Sequence, residues 1–201
     1  SIRHACTNCQ HGLEAHHHTM KTRNLFTSLI PLLVLSGFSH AGDNEDWTHL
    51  LAEDSLDAWF FDVADYTRPE KIWSLEGGVL KVAGDEQSAG VIRTRETYEE
   101  FEFELEWRWP DEPGNCGVLL YCSDPRYMGI WPKSLEVQLL NGNAGDFYFI
   151  GETVQVYEPR QIPYPDGESD FREWHWRNRK KLQDGLENPP GQWNHMRIVS
   201  A

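Results

Sequence analysis

The sequence predicts an all-β protein, a sandwich of two antiparallel sheets. Residues 101–109 and residues 135–139 alternate between apolar and polar side chains, which is the period of a strand with one buried face. Between them, residues 110–114 are rich in proline, glycine and acid, as turns are. No stretch shows helical periodicity beyond a turn or two. Because such strands are apolar on one side only, we expect their sheet to pack against a second sheet.

The other strands are predicted, in chain order, from short apolar runs bounded by turn residues. In residues 72–82, Gly77 and Gly78 supply the tight turn of a hairpin. Further strands are predicted at residues 91–95, 118–122, 146–150, 153–157 and 193–199. Since the last of these has no successor to pair with, we expect the chain to lack the last strands of its fold.

Three central strands are expected to be neighbours in one sheet, namely those at residues 101–109, 118–122 and 135–139. Their apolar side chains would then face the core together. The opposite face of that sheet would carry the polar side chains Glu106, Arg108, Glu136 and Gln138. That face is where we expect the functional site.

The first fifth of the chain has the features of a targeting segment. Residues 20–24 are basic, residues 25–38 are an apolar run too short to span a bilayer, and residues 39–41 offer small side chains near a cleavage point. This pattern predicts an exported protein, periplasmic or extracellular, with no membrane segment after cleavage. The predicted division is an upstream extension outside the fold at 1–19, a signal peptide at 20–41 and one domain at 42–201.

The charge of the chain excludes one class of partner. The formal net charge is −14 at pH 7, whereas nucleic-acid binding needs clustered lysine and arginine. We therefore expect no nucleic-acid partner.

The cysteines predict neither a disulfide nor a metal site. Cys116 and Cys122 would lie roughly 20 Å apart on a straight strand, beyond the reach of a disulfide. Cys6, Cys9 and the three histidines at 16–18 precede the targeting segment, so we expect the mature protein to lack them.

Five motifs occur in a fixed order along the chain. They are LEGGVL at 75–80, the aromatic alternation from Tyr98 to Arg108, NCGVLL at 115–120, LEVQLL at 135–140 and PGQWN at 190–194. In order and spacing this series resembles the 3-keto-disaccharide hydrolase domain family, over about residues 56–199. The chain departs from the family pattern at Cys116, where serine is usual, and at Tyr121, where arginine is common. The resemblance implies a concanavalin A-like jelly-roll sandwich.

Glu136 and Gln138 should project from the same face of one strand, roughly 6.5–7 Å apart. The spacing Glu136-x-Gln138-x-x-Asn141 is similar to the catalytic strand of laminarinase-type glycosidases, with two carboxylates replaced by amides. Retaining hydrolysis needs a second carboxylate about 5–5.5 Å from the first. Glu106 could supply it from a neighbouring strand, but no spacing in the sequence requires this. A standard two-carboxylate hydrolase is therefore not the favoured hypothesis.

The resemblance implies a carbohydrate substrate and a different chemistry. A sugar oxidised at C3 has an acidified hydrogen at C2, which one base can remove so that the leaving group departs by elimination. Such a site needs the base and a cation or divalent metal for the enolate oxygen. The implied roles are base or metal ligand for Glu136, enolate or hydroxyl contact for Arg108, and sugar contacts for Gln138, Asn115, Tyr121 and Trp131.

Other interpretations of the same residues remain open. A non-catalytic carbohydrate-binding module would show a row of exposed aromatic side chains on the same fold. In a structural protein without a sugar site, neighbouring strands would fully satisfy Glu136 and Gln138. His175 and His195 have side chains suited to a base or a metal ligand, but each lies beside tryptophan and could simply pack.

Overall fold

The computed structural model describes residues 5–6, 13–22, 47–51, 55–84, 89–152 and 181–200. These residues form twelve strands and one short 3-10 turn, Pro69–Lys71. All strand pairs are antiparallel, and the strands assemble into two sheets. The predicted all-β fold class is confirmed, and the arrangement is consistent with a jelly-roll sandwich.

The first sheet has the strand order β11-β10-β9-β1-β7-β4. Its strands are β1 (Ala5–Cys6), β4 (Trp59–Val63), β7 (Gly90–Thr94), β9 (Gly117–Leu120), β10 (Ser134–Gln138) and β11 (Phe147–Ile150). The second sheet has the order β12-β8-β2-β6-β5, with β3 paired to β2. Its strands are β2 (Leu13–Thr22), β3 (Thr48–His49), β5 (Trp73–Glu76), β6 (Val79–Val82), β8 (Phe101–Arg108) and β12 (Asn194–Ser200).

One apolar core lies between the two sheets. Strand β8 alternates buried and half-buried side chains along its whole length, as its sequence predicts. Its buried side chains, including Phe103 and Trp107, share a cluster with Val118 and Leu120 of β9 and Val137 of β10. The remaining side of each sheet, turned away from this core, is called its outer face below.

The hairpin of β5 and β6 forms as predicted. Trp73 pairs with Val82 and Glu76 with Val79, which leaves Gly77 and Gly78 as the connection. Both glycines have positive φ angles, 58° and 74°. Such angles are what the tight turns of two-residue hairpins require and what side chains other than glycine resist.

The expectation that the three central strands share one sheet is wrong. Strand β8 belongs to the second sheet, between β12 and β2, whereas β9 and β10 pair with each other in the first. Alternation determines which face of a strand is apolar, but it does not determine the neighbouring strand. The outer face with Glu106 and the outer face with Glu136 therefore lie on opposite sides of the core.

The segment predicted to lie outside the fold supplies β1 and most of β2. Strand β2 pairs with β8 on one side and with β6 on the other, and Leu13, Ala15 and Met20 are buried in the core. The apolar alternation at Leu13 and Ala15 is typical of a strand with one buried face. These residues belong to the fold although they precede a targeting pattern. Cleavage after residue 41 would remove this strand and leave the facing edges of β8 and β6 unpaired.

Other sequence predictions concern residues that the structure leaves out of its description. Residues 23–46 contain most of the predicted signal peptide, and residues 153–180 contain the predicted strand at 153–157 together with His175. Within the described ranges, no helix is long and apolar enough to cross a membrane.

The cysteines correct one further expectation. Cys116 is disulfide-bonded, although no disulfide was expected, whereas Cys122 is a free thiol. The predicted absence of a bridge between these two cysteines is therefore confirmed. The expectation was wrong for Cys116 because it considered Cys122 alone as a partner.

Candidate active site

Glu136 lies in the middle of β10, on the outer face of the first sheet. Its cross-strand neighbours are Leu119 on β9 and Tyr148 on β11. The side chain is half-buried, and among the described residues its carboxylate makes no hydrogen bond or ion pair. Loss of water around this group raises the pKa of Glu136 to about 7, because burial disfavours the charged form.

An apolar cluster beside Glu136 accounts for part of this burial. Leu119, the cross-strand partner of Glu136, packs with Val91, Ile130 and Ile150 on the outer face. We call these four residues the outer cluster. Trp131 packs against it, so the structure brings this predicted sugar-stacking residue to the same face of the sheet as Glu136.

A tight turn presents Trp131 to that face. The backbone N–H of Trp131 donates to the carbonyl of Met128 at 3.1 Å, and the N–H of Met128 donates to the carbonyl of Trp131 at 3.0 Å. Gly129 within this turn has φ 64°. Nearby, the ring of Tyr127 covers Gly151 at the end of β11. Aromatic side chains thus border the face that carries Glu136.

Gly117 on β9 leaves the space in which the carboxyl group of Glu136 lies. A Cβ atom at position 117 would come within 2.7 Å of both Cδ and Cγ of Glu136, and closer still to Oε1. No side chain tolerates such an approach, so glycine is the one residue that lets Glu136 lie against the sheet. The position of the carboxyl group therefore depends on a residue of the neighbouring strand.

Gln138 lies on the same outer face as Glu136, but its side-chain oxygen is bonded to the backbone that follows the strand. Its Oε1 accepts hydrogen bonds from the backbone N–H groups of Leu139 at 2.9 Å and Leu140 at 2.8 Å. The side chain is 4% exposed, which leaves its amide NH₂ as the group it could offer to a ligand. Asn115, two residues before Gly117, has a buried Oδ1 to which the described residues donate no hydrogen bond. The sugar contacts predicted for these two residues stay predictions.

The third position of the glycosidase-like spacing, Asn141, lies in a turn beyond the strand. The carboxylate of Glu187 accepts hydrogen bonds from the N–H groups of Gly142 at 3.0 Å and Ala144 at 3.1 Å, and from Asn141 Nδ2 at 3.4 Å. Lys181 donates to the carbonyl of Gly142 in the same turn. These contacts fix the turn that follows β10.

The structure does not bring Glu106 or Arg108 to Glu136. Both lie on the outer face of the second sheet, across the core. The guanidinium of Arg108 makes an ion pair with Glu14 at 2.5 Å and lies 4.6 Å from the ring centre of Trp193. Glu106 therefore does not supply the second carboxylate beside Glu136 that the sequence left open, and Arg108 is not placed to contact an enolate formed there.

Tyr121 follows the last residue of β9, and its side chain is exposed. Its hydroxyl is 2.6 Å from the hydroxyl of Ser200 in β12, and its φ angle is 56°. A left-handed backbone is strained for tyrosine, and such strain persists only where surrounding contacts hold it. The contact connects the two sheets, and the predicted sugar contact of Tyr121 stays a prediction.

The described histidine and acidic residues form no metal site. His195 lies on the outer face of the second sheet, with Nε2 3.8 Å from Glu104 Oε2. In the ranges that the structure describes, no three His, Cys, Asp or Glu side chains are grouped as a metal site requires. We therefore assign no metal ligand.

The sequence predicted that Glu136 and Trp131 belong to one site, but it did not point to Gly117 or Tyr148 beside Glu136. Gly117 lies inside the motif NCGVLL, and its position opposite Gln138 follows from the register of β9 and β10. The alternation of both strands was visible in the sequence, but their register was not. Tyr148 adjoins Glu136 for the same reason, through the pairing of β10 with β11.

Comparison with known proteins assigns the family. The family model of the 3-keto-alpha-glucoside-1,2-lyase-like domain matches residues 46–201. Neither the curated proteins nor the solved structures returned a match to the chain. The matched residues include every strand from β3 to β12, and with them Glu136, Gly117 and Trp131. The chain belongs to the 3-keto-alpha-glucoside-1,2-lyase-like domain family, the 3-keto-disaccharide hydrolase family that its motifs resemble.

Proposed function

We propose that this protein cleaves 3-keto-glycosides and that Glu136 is the base that starts the reaction. The observation that carries the proposal is the burial of this carboxyl group, which has no hydrogen-bond or ion-pair partner among the described residues and whose pKa is raised to about 7 by that burial. A general base works best when its pKa lies near the working pH. Burying a carboxyl group away from water destabilises the folded state, and titratable groups perturbed in this way are typical of functional sites.

The proposed reaction begins with removal of the proton at C2 of the oxidised sugar. The keto group at C3 accepts the electron pair of the C2–H bond as an enolate. The enolate then expels the leaving group at C1, so that a C1–C2 double bond forms while the C1–O bond breaks, and the departing oxygen takes a proton. Addition of water to the double bond would complete a net hydrolysis. Within this scheme Glu136 accepts the first proton, and Trp131 offers a flat apolar surface for the sugar ring.

The geometry favours this chemistry over two-carboxylate hydrolysis. The latter requires a second carboxyl group about 5–5.5 Å from the first in retaining enzymes, or about 6.5–9.5 Å in inverting ones. The one candidate that the sequence offered, Glu106, is in the other sheet. Elimination from a 3-keto sugar needs one base and no second carboxylate.

Cleavage of a 3-keto disaccharide, compared with that of the same disaccharide unoxidised, tests the proposal. We expect turnover of the oxidised sugar alone, since only its C2 hydrogen is acidic enough for one carboxylate. A parallel assay with chelator reports whether a metal takes part. Equal cleavage of both sugars would contradict elimination. Saturable binding of either sugar without cleavage would favour the non-catalytic carbohydrate-binding module.

Export through a signal peptide at residues 20–41 is part of the proposal. The support for it is the basic stretch at residues 20–24 followed by the apolar run at residues 25–38. Sequencing the N-terminus of the exported chain tests the cleavage. A first residue at Gly42 supports it, whereas a chain that retains residues 13–22 would contradict it.

A further inference from the structure

A recess lies on the outer face of the first sheet, beside the outer cluster. It is a cavity of about 410 Å³ bounded by β4, β7 and the loop of residues 121–133. That volume is within the usual range for small-molecule sites, about 300–1,000 Å³. Two residues of the outer cluster, Val91 and Ile130, also line the cavity, so the cavity adjoins the apolar surroundings of Glu136.

The walls of the cavity combine an apolar surface with two arginine side chains. Phe60, Ile130 and Pro132 are among its apolar residues. Arg126 is neutralised, because it makes an ion pair with Asp62 at 2.6 Å and also donates to the carbonyl of Val63 at 2.7 Å. Arg93 is different. Its guanidinium carbon lies 5.0 Å from the ring centre of Phe60, and the described residues provide it with no ion pair.

The loop that closes the cavity is held in place. Arg126 has a φ of 56°, a conformation that costs energy for any residue except glycine. Its contacts with Asp62 and Val63 attach the loop to β4. A wall fixed in this way is preformed, which reduces the entropy lost on binding a ligand.

Strand register places the cavity at a defined distance from Glu136. Glu136 pairs with Leu119, Leu119 with Ala5, and Ala5 with Arg93. Paired residues point to the same side of an antiparallel sheet, so Glu136 and Arg93 lie on the same outer face, three strand spacings apart. Their Cα atoms are therefore roughly 14 Å apart. Because both side chains are long, their charged groups can lie closer together than that.

We propose that this cavity binds the leaving group of the glycoside, and that this group is a flat apolar body carrying a carboxylate or a similar anion. Arg93 pairs with the anion, and the ring of Phe60 and the other apolar residues cover the body. The inference rests on the proposed function, because it assumes that the sugar ring of the same molecule lies at Glu136. It adds a substrate class, glycosides with an anionic leaving group.

Two matched substrates test the proposal, phenyl 3-keto-α-glucoside and 4-carboxyphenyl 3-keto-α-glucoside. We expect the carboxylate to raise kcat/KM by about 10- to 100-fold, the effect of one charge-assisted hydrogen bond. In Arg93→Gln the ratio of the two values should fall to about one, and in Arg93→Lys it should recover in part. Arg95→Gln is the control, because Arg95 lies 4.0 Å from the same Phe60 ring but outside the cavity; it should keep the ratio.

A binding measurement separates failure of this inference from failure of the proposed function. Calorimetric titration with 4-hydroxybenzoate, the leaving group alone, needs no catalysis. Binding that is lost in Arg93→Gln and kept in Arg95→Gln supports the cavity even if neither glucoside is cleaved. No binding of 4-hydroxybenzoate, or equal kcat/KM values for the two glucosides in the unaltered protein, would overturn the inference.

Discussion

Replacing Glu136 by Gln should lower the turnover of a 3-keto disaccharide by about 10²- to 10⁴-fold, the usual contribution of a general base. Glutamine keeps the shape of the side chain but cannot accept the C2 proton. Glu106→Gln is the matched control, since Glu106 is also half-buried but lies across the core. Equal losses in the two variants would contradict the placement of the site at Glu136.

The same substitution should stabilise the folded protein above pH 7. The pKa of Glu136 is raised from 4.5 to about 7 on folding, so between these values the folded state binds more protons than the unfolded state. Stability therefore falls as pH rises through this window, and the full penalty remains above pH 7. Its size is at most about 3 kcal/mol. Denaturant unfolding should show Glu136→Gln to be more stable than the unaltered protein at pH 8, with the difference vanishing near pH 4.5.

Gly117→Ala should lower kcat/KM by about 10- to 100-fold without unfolding the protein, the size of loss that a misplaced catalytic group causes. The new Cβ would occupy the space in which the Glu136 carboxyl group lies. The side chain must then turn toward water, which removes the cause of its raised pKa. We expect the midpoint of the pH–rate profile to move down toward the ordinary value for glutamate, a change that simple loss of stability would not produce.

A double variant provides the control for Gly117→Ala. If Gly117 acts through the position of Glu136, the two substitutions share one effect and are not additive. In a Glu136→Gln background, Gly117→Ala should lower the residual rate no further. A further independent loss, or an unchanged pH midpoint in the single variant, would contradict a positioning role for Gly117.

Those features of the fold that depend on local pattern could be predicted from the sequence. The alternation along Phe101–Arg108 predicted a strand with one buried face, and the Gly77-Gly78 pair predicted the hairpin turn. The neighbours of each strand could not be predicted, because alternation is the same whichever strand lies alongside. For that reason Glu106 and Glu136 were expected together, although the core separates them.

The same limit applies to the candidate site. Glu136 was predicted because its motif resembles that of a family. Its unusual environment was not predictable, because it depends on Gly117 and Leu119 of β9 and on the outer cluster. Strand β2 was missed for a different reason. Its alternation is short, and the basic and apolar residues after Met20 indicated a targeting segment instead.

The pH dependence of kcat/KM for a 3-keto disaccharide tests the central claim most directly. This quantity reports the pKa of the essential base in the free enzyme. If Glu136 is that base, the value should rise about tenfold per pH unit below its pKa, turn near pH 7 and stay level above. A profile that is flat from pH 5 to 8, or one whose rise near pH 7 persists in Glu136→Gln, would contradict the assignment of Glu136 as the catalytic base.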